Sequence, residues 1–193
     1  IREMDSKWGG PQTVAGPVML IPQAKYVEKR GDRVFANFLP ERLYAETEIK
    51  PEPRRRGIYE TVVYRAEIRM KGAFAAPDLR KLALASDEAD SKGALLCLGV
   101  SDVAGFAEKV SFTANGRSLE VLPGTAGAGF MGAGLHVRCP EELLKSGFEF
   151  NVEMTLNGSG DLSFVPAGKE SVIAMKSAWA DPSFSGARLP VER

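Results

Sequence analysis

Short stretches of alternating or continuous apolar residues recur along the chain, and Gly, Pro, Asn and Asp separate them at intervals typical of β-strands. Residues 18–21 form an apolar run that Pro22 closes, as expected of a buried strand ending where proline would interrupt its hydrogen bonds. Apolar and polar residues alternate over 43–50 and 58–74, and the face with Ala66 and Ile68 is the more apolar one. This pattern predicts a mainly β protein.

Turn-forming residues between these stretches predict hairpins. Asn115-Gly116 joins strands over 110–114 and 118–122, and both residues tolerate a positive φ. Residues 29–32 are expected to join strands over 26–28 and 33–38, and residues 51–57 to connect the strands over 43–50 and 58–74. Residues 157–161 predict a turn between strands over 148–156 and 162–165, and 171–179 adds a last strand.

Helical signals are few. Residues 77–85 begin with proline and carry an acidic first turn, residues 141–145 predict one helical turn after Pro140, and residues 86–93 are expected to be a loop. The chain has no internal repeat and no interdomain linker. We therefore expect residues 1–193 to form a single antiparallel β-sandwich-like domain with one or two short helices.

Composition narrows the classes of function. The 25 basic and 25 acidic side chains give a net charge of zero, which argues against nucleic acid as a partner. One histidine and two cysteines exclude a His-rich metal site or a multi-cysteine zinc site within the chain. No apolar run reaches the roughly 18 residues of a membrane helix. Because the sequence starts at Ile1, we expect it to be a piece of a longer protein.

Motifs with possible chemistry have structural explanations. Residues 127–132 match G-x-G-x-x-G, but residues 134–138 alternate like a strand where a dinucleotide site needs a helix, so we interpret the segment as a loop. His136 is the only imidazole and is expected to be a structural strand residue. No catalytic acid, cofactor or metal ligand is assigned, although several carboxylates lie on predicted strands or turns: Glu46, Glu48, Glu67, Glu149, Glu153 and Asp161.

Three further features each leave two interpretations open. Cys97 and Cys139 form either one disulfide or two buried thiols. Arg54-Arg55-Arg56 either meets phospholipid headgroups or an anionic polymer, or is a solvated turn. Asn157-Gly158-Ser159 matches the glycosylation pattern, but its composition favours a turn.

Several short motifs, taken in their order along the chain, resemble the CreD family of bacterial inner membrane proteins. These motifs are Gly10-Pro11-Gln12, Val14-Ala15-Gly16-Pro17, Phe38-Leu39-Pro40-Glu41, Arg56-Gly57-Ile58-Tyr59, Val100-Ser101-Asp102-Val103-Ala104-Gly105, Leu122-Pro123-Gly124-Thr125, Gly134-Leu135-His136-Val137, Asn157-Gly158-Ser159-Gly160-Asp161 within 156–168, and Pro182-Ser183-Phe184. Each motif alone is weak, but their joint order and spacing are specific and cover nearly the whole chain.

The resemblance implies a periplasmic domain that follows an N-terminal membrane anchor and precedes further membrane helices. It also implies a role in cell envelope integrity and colicin tolerance, under CreBC two-component control linked to β-lactam stress. It supplies no catalytic residues, and Cys97 and Cys139 do not belong to its pattern.

Two functions are therefore expected in different classes. The first is a non-enzymatic periplasmic domain that contacts an envelope component or a membrane protein partner of unknown identity. The second is a glycan-binding or glycan-processing sandwich that uses aromatic platforms and paired carboxylates. The aromatic candidates are Trp8, Trp179, Tyr44, Tyr59 and Tyr64. Aromatic residues buried in the core would favour the first function, and an exposed one beside two carboxylates in a groove the second.

Overall fold

A computed structural model describes residues 9–27, 33–56, 59–79, 93–126, 129, 131–179 and 183–185. These residues form two six-stranded sheets. The strands are β1 Gln12–Val27, β2 Arg33–Phe38, β3 Arg42–Arg56, β4 Tyr59–Phe74, β5 Leu95–Val100, β6 Ser111–Ala114, β7 Arg117–Leu119, β8 Val121–Pro123, β9 Gly134–Arg138, β10 Phe148–Ser159, β11 Leu162–Val165 and β12 Glu170–Ser177. Helix α1 spans Glu141–Ser146, and a 3₁₀ helix spans Val103–Gly105.

The first sheet has the order β11-β1-β5-β9-β8, with β2 also paired to β1, and the second has the order β12-β3-β4-β10-β6-β7. The predicted mainly β, sandwich-like fold class is confirmed. Most neighbours are antiparallel, whereas β11 is parallel to β1 and β12 is parallel to β3. Both parallel strands are reached by passing from one sheet to the other, and a tight hairpin cannot produce such a pair.

The core lies between the two sheets and contains side chains from both. On β4 the even-numbered residues Tyr64, Ala66, Ile68 and Met70 are buried, as the alternation predicts. A cluster of phenylalanines fills the end of the core next to α1, with the rings of Phe74 and Phe148 5.3 Å apart. This extended apolar interface joins the sheets into one body.

Prolines do not end the strands where the sequence predicts. β1 continues through Pro22 to Val27, and β3 continues through Pro51 and Pro53 to Arg56, so the predicted strand end at Pro22 and connection at 51–57 are wrong. Pairing of β1 with β5 ends at Leu20, and pairing of β3 with β12 ends before Pro51. Beyond those points each strand has a partner on one side only, where a missing N–H costs little.

The hairpin at Asn115-Gly116 is confirmed, with φ angles of 46° and 77° at the two turn residues. The single strand predicted after the turn is divided into two, because β7 pairs in the second sheet and β8 in the first. The predicted hairpin between 148–156 and 162–165 is wrong. β10 belongs to the second sheet and β11 to the first, so the chain crosses between sheets at Gly160 and Asp161.

The single helical turn predicted at 141–145 is confirmed as α1. Most of the helix predicted at 77–85 and of the loop predicted at 86–93 lies outside the described residues, as does the turn at 29–32. The strands that flank that turn pair as predicted, with Val27 opposite Arg33. Within the described ranges, every helix is too short or too polar to cross a membrane.

Candidate functional site

His136 lies on β9 directly opposite Cys97 of β5. Its Nδ1 is 2.8 Å from the carbonyl oxygen of Gly124. Because a carbonyl oxygen only accepts, Nδ1 carries the hydrogen and donates it to the loop that follows β8. The imidazole is half-buried in the sheet and anchors this loop, as expected of a structural strand histidine.

The juxtaposition of Cys97 and His136 resembles a nucleophile and base, but the thiol is not activated. Cys97 is fully buried and its Sγ lies 3.7 Å from the carbonyl oxygen of Thr125. Burial raises the pKa of Cys97 to about 12, so the group is a neutral thiol at physiological pH. A reactive cysteine needs the opposite shift.

The two cysteines are free and buried, which excludes the disulfide interpretation. Cys97 packs beside Val18 and Leu20 in a small cluster separate from the main core. Cys139 belongs to the core between the sheets, and burial raises its pKa to about 12 as well. The two thiols therefore occupy different layers of the protein.

The structure places four of the candidate carboxylates on the outer face of the second sheet: Glu46, Glu48, Glu67 and Glu153. Glu48 and Glu67 are direct cross-strand neighbours. Glu67 accepts a hydrogen bond from Lys50 at 2.6 Å, and this contact lowers the pKa of Glu67. A general acid needs a raised pKa, so Glu67 does not have the electrostatics of a glycosidase acid.

The remaining two carboxylates lie elsewhere. Glu149 exchanges hydrogen bonds with the turn residue Asn115 through its own backbone N–H and carbonyl. Asp161 contributes its carbonyl oxygen to the contacts at one end of the sandwich described below. Within the described parts of the chain, no cluster of three or more His, Cys, Asp or Glu side chains is arranged to hold a metal ion.

The candidate aromatic platforms are dispersed. Tyr64 is buried, donates its hydroxyl hydrogen to the Asp161 carbonyl oxygen at 2.8 Å, and has a pKa raised by burial. The ring of Tyr44 has Lys71 Nζ 5.0 Å from its centroid, and Trp179 is 44% exposed. Trp8 and the side chain of Tyr59 lie outside the described residues. A sugar-binding groove with paired carboxylates is not formed by the described members of this set.

Residues 157–159 belong to β10, so the predicted turn is wrong. Gly158 lies against Tyr64, where an added Cβ would be 2.4 Å from the hydroxyl oxygen. Ser159 is 6% exposed and donates its hydroxyl hydrogen to the carbonyl oxygen of Gly9. Glycine serves close packing here, and Asn157, the residue that would carry a glycan, is half-buried in β10 with its Oδ1 enclosed. Of residues 127–132, positions 127, 128 and 130 lie outside the described residues, and strand β9 follows, as predicted.

A buried polar contact that sequence reasoning missed lies where β1 begins. Gln12 is 1% exposed. Its Nε2 donates to the carbonyl oxygens of Asp102 at 3.2 Å and Asn157 at 3.3 Å, and its Oε1 lies 3.2 Å from Ser101 Oγ. We call this set, with Gly105, the Gln12 junction. Three of the motifs behind the family resemblance meet here, namely those at 10–12, 100–105 and 156–161.

Local backbone structure shapes the junction. Asp102 caps the 3₁₀ helix by accepting the N–H of Ala104 at 2.9 Å. The helix brings Gly105 so close to Gln12 that an added Cβ would be 2.3 Å from Nε2. Directly after the helix, Phe106 pairs with Leu156 of β10. The junction therefore ties β1 and the segment after β5 to β10 of the other sheet.

The first described residues and the end of β12 lie at the end of the sandwich that contains the junction, which we call the junction end. The Gly10 carbonyl oxygen accepts the N–H of Ser159. β12 runs parallel to β3, and its last residue, Ser177, pairs with Ile49. Ile49 pairs with Ala66 of β4, which in turn pairs with Leu156 near the end of β10. Helix α1 lies at the opposite end, because it leads into the start of β10.

A two-stranded arm extends beyond the sandwich at the junction end. The last contact of β10 with β4 pairs Ser159 with Val63, and β3 and β4 continue through four more pairs, from Pro53–Val62 to Arg56–Tyr59. We call residues 53–56 and 59–62 the arm. Four pairs at a strand rise of about 3.3 Å extend roughly 13 Å. Arg54 and Arg55 are exposed, so the arginine triplet lies on a protruding hairpin.

Comparisons with known proteins agree with the motif resemblance. A family model described as "Inner membrane protein CreD" matches residues 1–193. The protein named "Inner membrane protein CreD" from Escherichia coli (strain K12) is 32% identical over 195 residues, which cover 95% of this chain and 42% of that protein. The chain thus spans less than half the length of this curated relative, and no solved structure matches it. The chain belongs to the CreD family of inner membrane proteins.

Proposed function

We propose that residues 1–193 form a single periplasmic domain of an inner membrane protein, and that the domain acts in cell envelope integrity without catalysing a reaction. The observation that carries the proposal is that the first described residues and the end of β12 lie together at the junction end. A domain inserted between two membrane segments needs both ends on its membrane-facing side. Membership in a family of inner membrane proteins supports this arrangement.

The non-enzymatic part of the proposal is supported by the state of the reactive side chains. His136 donates to a backbone carbonyl, the thiol of Cys97 has a raised pKa, and Glu67 is held by Lys50. Each group is engaged in a structural contact. A binding role is therefore favoured, with an envelope component or a membrane protein as the partner. The family resemblance extends the proposal to CreBC-type control, β-lactam stress and colicin tolerance.

Topology is tested by thiol labelling of the whole membrane protein. Lys145→Cys places an exposed thiol on α1, at the end opposite the junction. A membrane-impermeant maleimide added to intact spheroplasts is expected to label this variant, whereas Cys97 and Cys139 stay unlabelled because they are buried. The unsubstituted protein measures any labelling from the rest of the chain. Labelling of the variant only after membrane lysis would show that the domain faces the cytoplasm.

The role in the envelope is tested by complementation. Cells that lack the protein are compared with cells that regain it, and survival in detergent with a chelator is measured. The double variant Cys97→Ala/His136→Gln removes the thiol and the imidazole that face each other, and we expect it to restore survival. Failure to restore survival at an unchanged protein level would indicate that the pair has a chemical role. Equal survival with and without the unsubstituted protein would contradict the envelope role itself.

A further inference from the structure

The arm is a local concentration of positive charge on a protein with no net charge. Residues 53–62 contain three arginines and one glutamate, whereas the whole chain has 25 basic and 25 acidic side chains. Arg54 Nη2 lies 2.8 Å from Glu52 Oε1, and both side chains are about half exposed, at 43% and 51%. An exposed ion pair of this kind contributes little and leaves the guanidinium accessible to solvent. Arg54 and Arg55 therefore place basic groups on the exposed surface of the arm.

The arm extends outward from the junction end, where the first described residues and the end of β12 lie. In the topology proposed above, that end faces the membrane, so the arm is the part of the domain directed toward the lipid surface. Trp179 lies two residues beyond β12, whose last residue pairs with Ile49, four positions before the arm begins, and its side chain is 44% exposed. Tryptophan is enriched at membrane interfaces because its ring is apolar and its indole N–H is polar.

We propose that the arm binds the anionic phospholipid headgroups of the membrane that holds the parent protein, with Arg54 and Arg55 as the contacting residues. This inference rests on the proposed topology, which places the junction end next to the membrane. Arginine donates several hydrogen bonds in a planar fork that suits phosphate oxygens. The arm's length of roughly 13 Å exceeds the Debye length of about 8 Å in physiological salt, so its basic side chains can approach surface charges that are screened from the body of the sandwich.

The test uses the 193-residue chain and vesicles of two compositions. One set contains one part phosphatidylglycerol to three parts phosphatidylethanolamine, and the other replaces phosphatidylglycerol with neutral phosphatidylcholine. Sedimentation with the vesicles gives a partition coefficient for each protein. We expect stronger binding to the anionic vesicles, weakened by added salt. The variant Arg54→Gln/Arg55→Gln is expected to bind them about 30-fold less tightly. Each basic residue near an anionic surface contributes about a fivefold increase in affinity, and the variant loses two such residues.

A matched control removes the same charge at the other end of the sandwich. The variant Arg138→Gln/Lys145→Gln loses two exposed basic side chains at the end that contains α1. We expect its partition coefficient to stay within about twofold of the original. Circular dichroism of both variants verifies that the fold is retained.

Three outcomes would overturn the inference: equal binding to both kinds of vesicle, an unchanged partition coefficient for the arm variant, or an equal loss for the control variant. The last outcome would mean that net charge alone drives binding. None of these results affects the thiol labelling experiment, which tests the topology independently. Periplasmic labelling combined with arm-independent vesicle binding would therefore remove this inference and leave the proposed function in place.

Discussion

Gln12→Met is the most direct perturbation of the Gln12 junction. Methionine has nearly the shape of glutamine but has no amide, so the substitution removes hydrogen bonds while it keeps most of the packing. Gln12 is 1% exposed, and therefore water cannot replace the lost donors without a rearrangement. The substitution isolates the contribution of the amide to the connection between the sheets.

The expected loss follows from the contacts of the amide. Nε2 donates to two carbonyl oxygens, and each bond contributes about 0.5–1.5 kcal/mol. The Asp102 carbonyl oxygen retains a second donor, the N–H of Gly105 at 3.2 Å, which limits the cost on that side. The Asn157 carbonyl oxygen loses a buried partner, which adds a desolvation penalty of about 1 kcal/mol. We expect the free energy of unfolding to fall by about 2–4 kcal/mol in total.

Urea unfolding of the 193-residue chain measures this loss, with the slope of the transition compared between variants. For a chain of this size the same change lowers Tm by about 5–15 °C. Gln23→Met is the matched control, because Gln23 is a half-buried residue of β1 beyond its pairing with β5. We expect that variant to stay within about 0.5 kcal/mol of the original. If Gln12→Met also stays within that range at an unchanged slope, the junction does not stabilise the fold and our reasoning is refuted.

Three further predictions concern the same chain. Gly105→Ala should lower the unfolding free energy at least as much as Gln12→Met, because the new Cβ would lie 2.3 Å from Gln12 Nε2, whereas Gly10→Ala, with no atom near its Cβ, should be neutral in urea. Tyr64→Phe should cost about 1 kcal/mol in the same assay through its lost hydrogen bond, and no change would contradict that. The two buried thiols have folded pKa values of about 12 against an ordinary 9.0, so their stabilisation is complete below pH 9 and is lost as pH rises toward 12. Each thiol should lower the free energy of unfolding by about 1.4 kcal/mol as the pH rises from about 8 to about 10. A Cys97→Ala/Cys139→Ala variant that retains this pH-dependent loss would show that other groups cause it.

Alternation along the chain was sufficient to predict strand faces. On β3 the buried residues Leu43, Ala45 and Thr47 are every second one, and β4 buries the face that the sequence marks as apolar. The Asn115-Gly116 turn was equally predictable, because positive φ at two successive residues is a local steric preference. These features depend on neighbouring residues and on one buried face, so the sequence carries them directly.

Features that depend on strand partners were not predictable. Pro22 and Pro51 look like strand ends. Each lies where its strand is paired on one side only, so the N–H that proline lacks is not needed for pairing on the other side. Asn157-Gly158-Ser159 has the composition of a turn, but the ring of Tyr64 requires a glycine in a packed strand. A local pattern does not contain the position of a strand that is distant in sequence, such as β5 for Pro22 or β12 for Pro51.

By itself, the sequence determined the mainly β class, the faces of the long strands and the resemblance to the CreD family, because each rests on residue type and spacing. Only the tertiary structure decided which sheet each strand joins, that Gln12 connects three distant motifs, and that the arginine triplet lies on an arm at the junction end. The physical reason is range. Steric preference and hydrophobic periodicity act between neighbours, whereas sheet pairing and buried hydrogen bonds join residues that only the folded chain brings together.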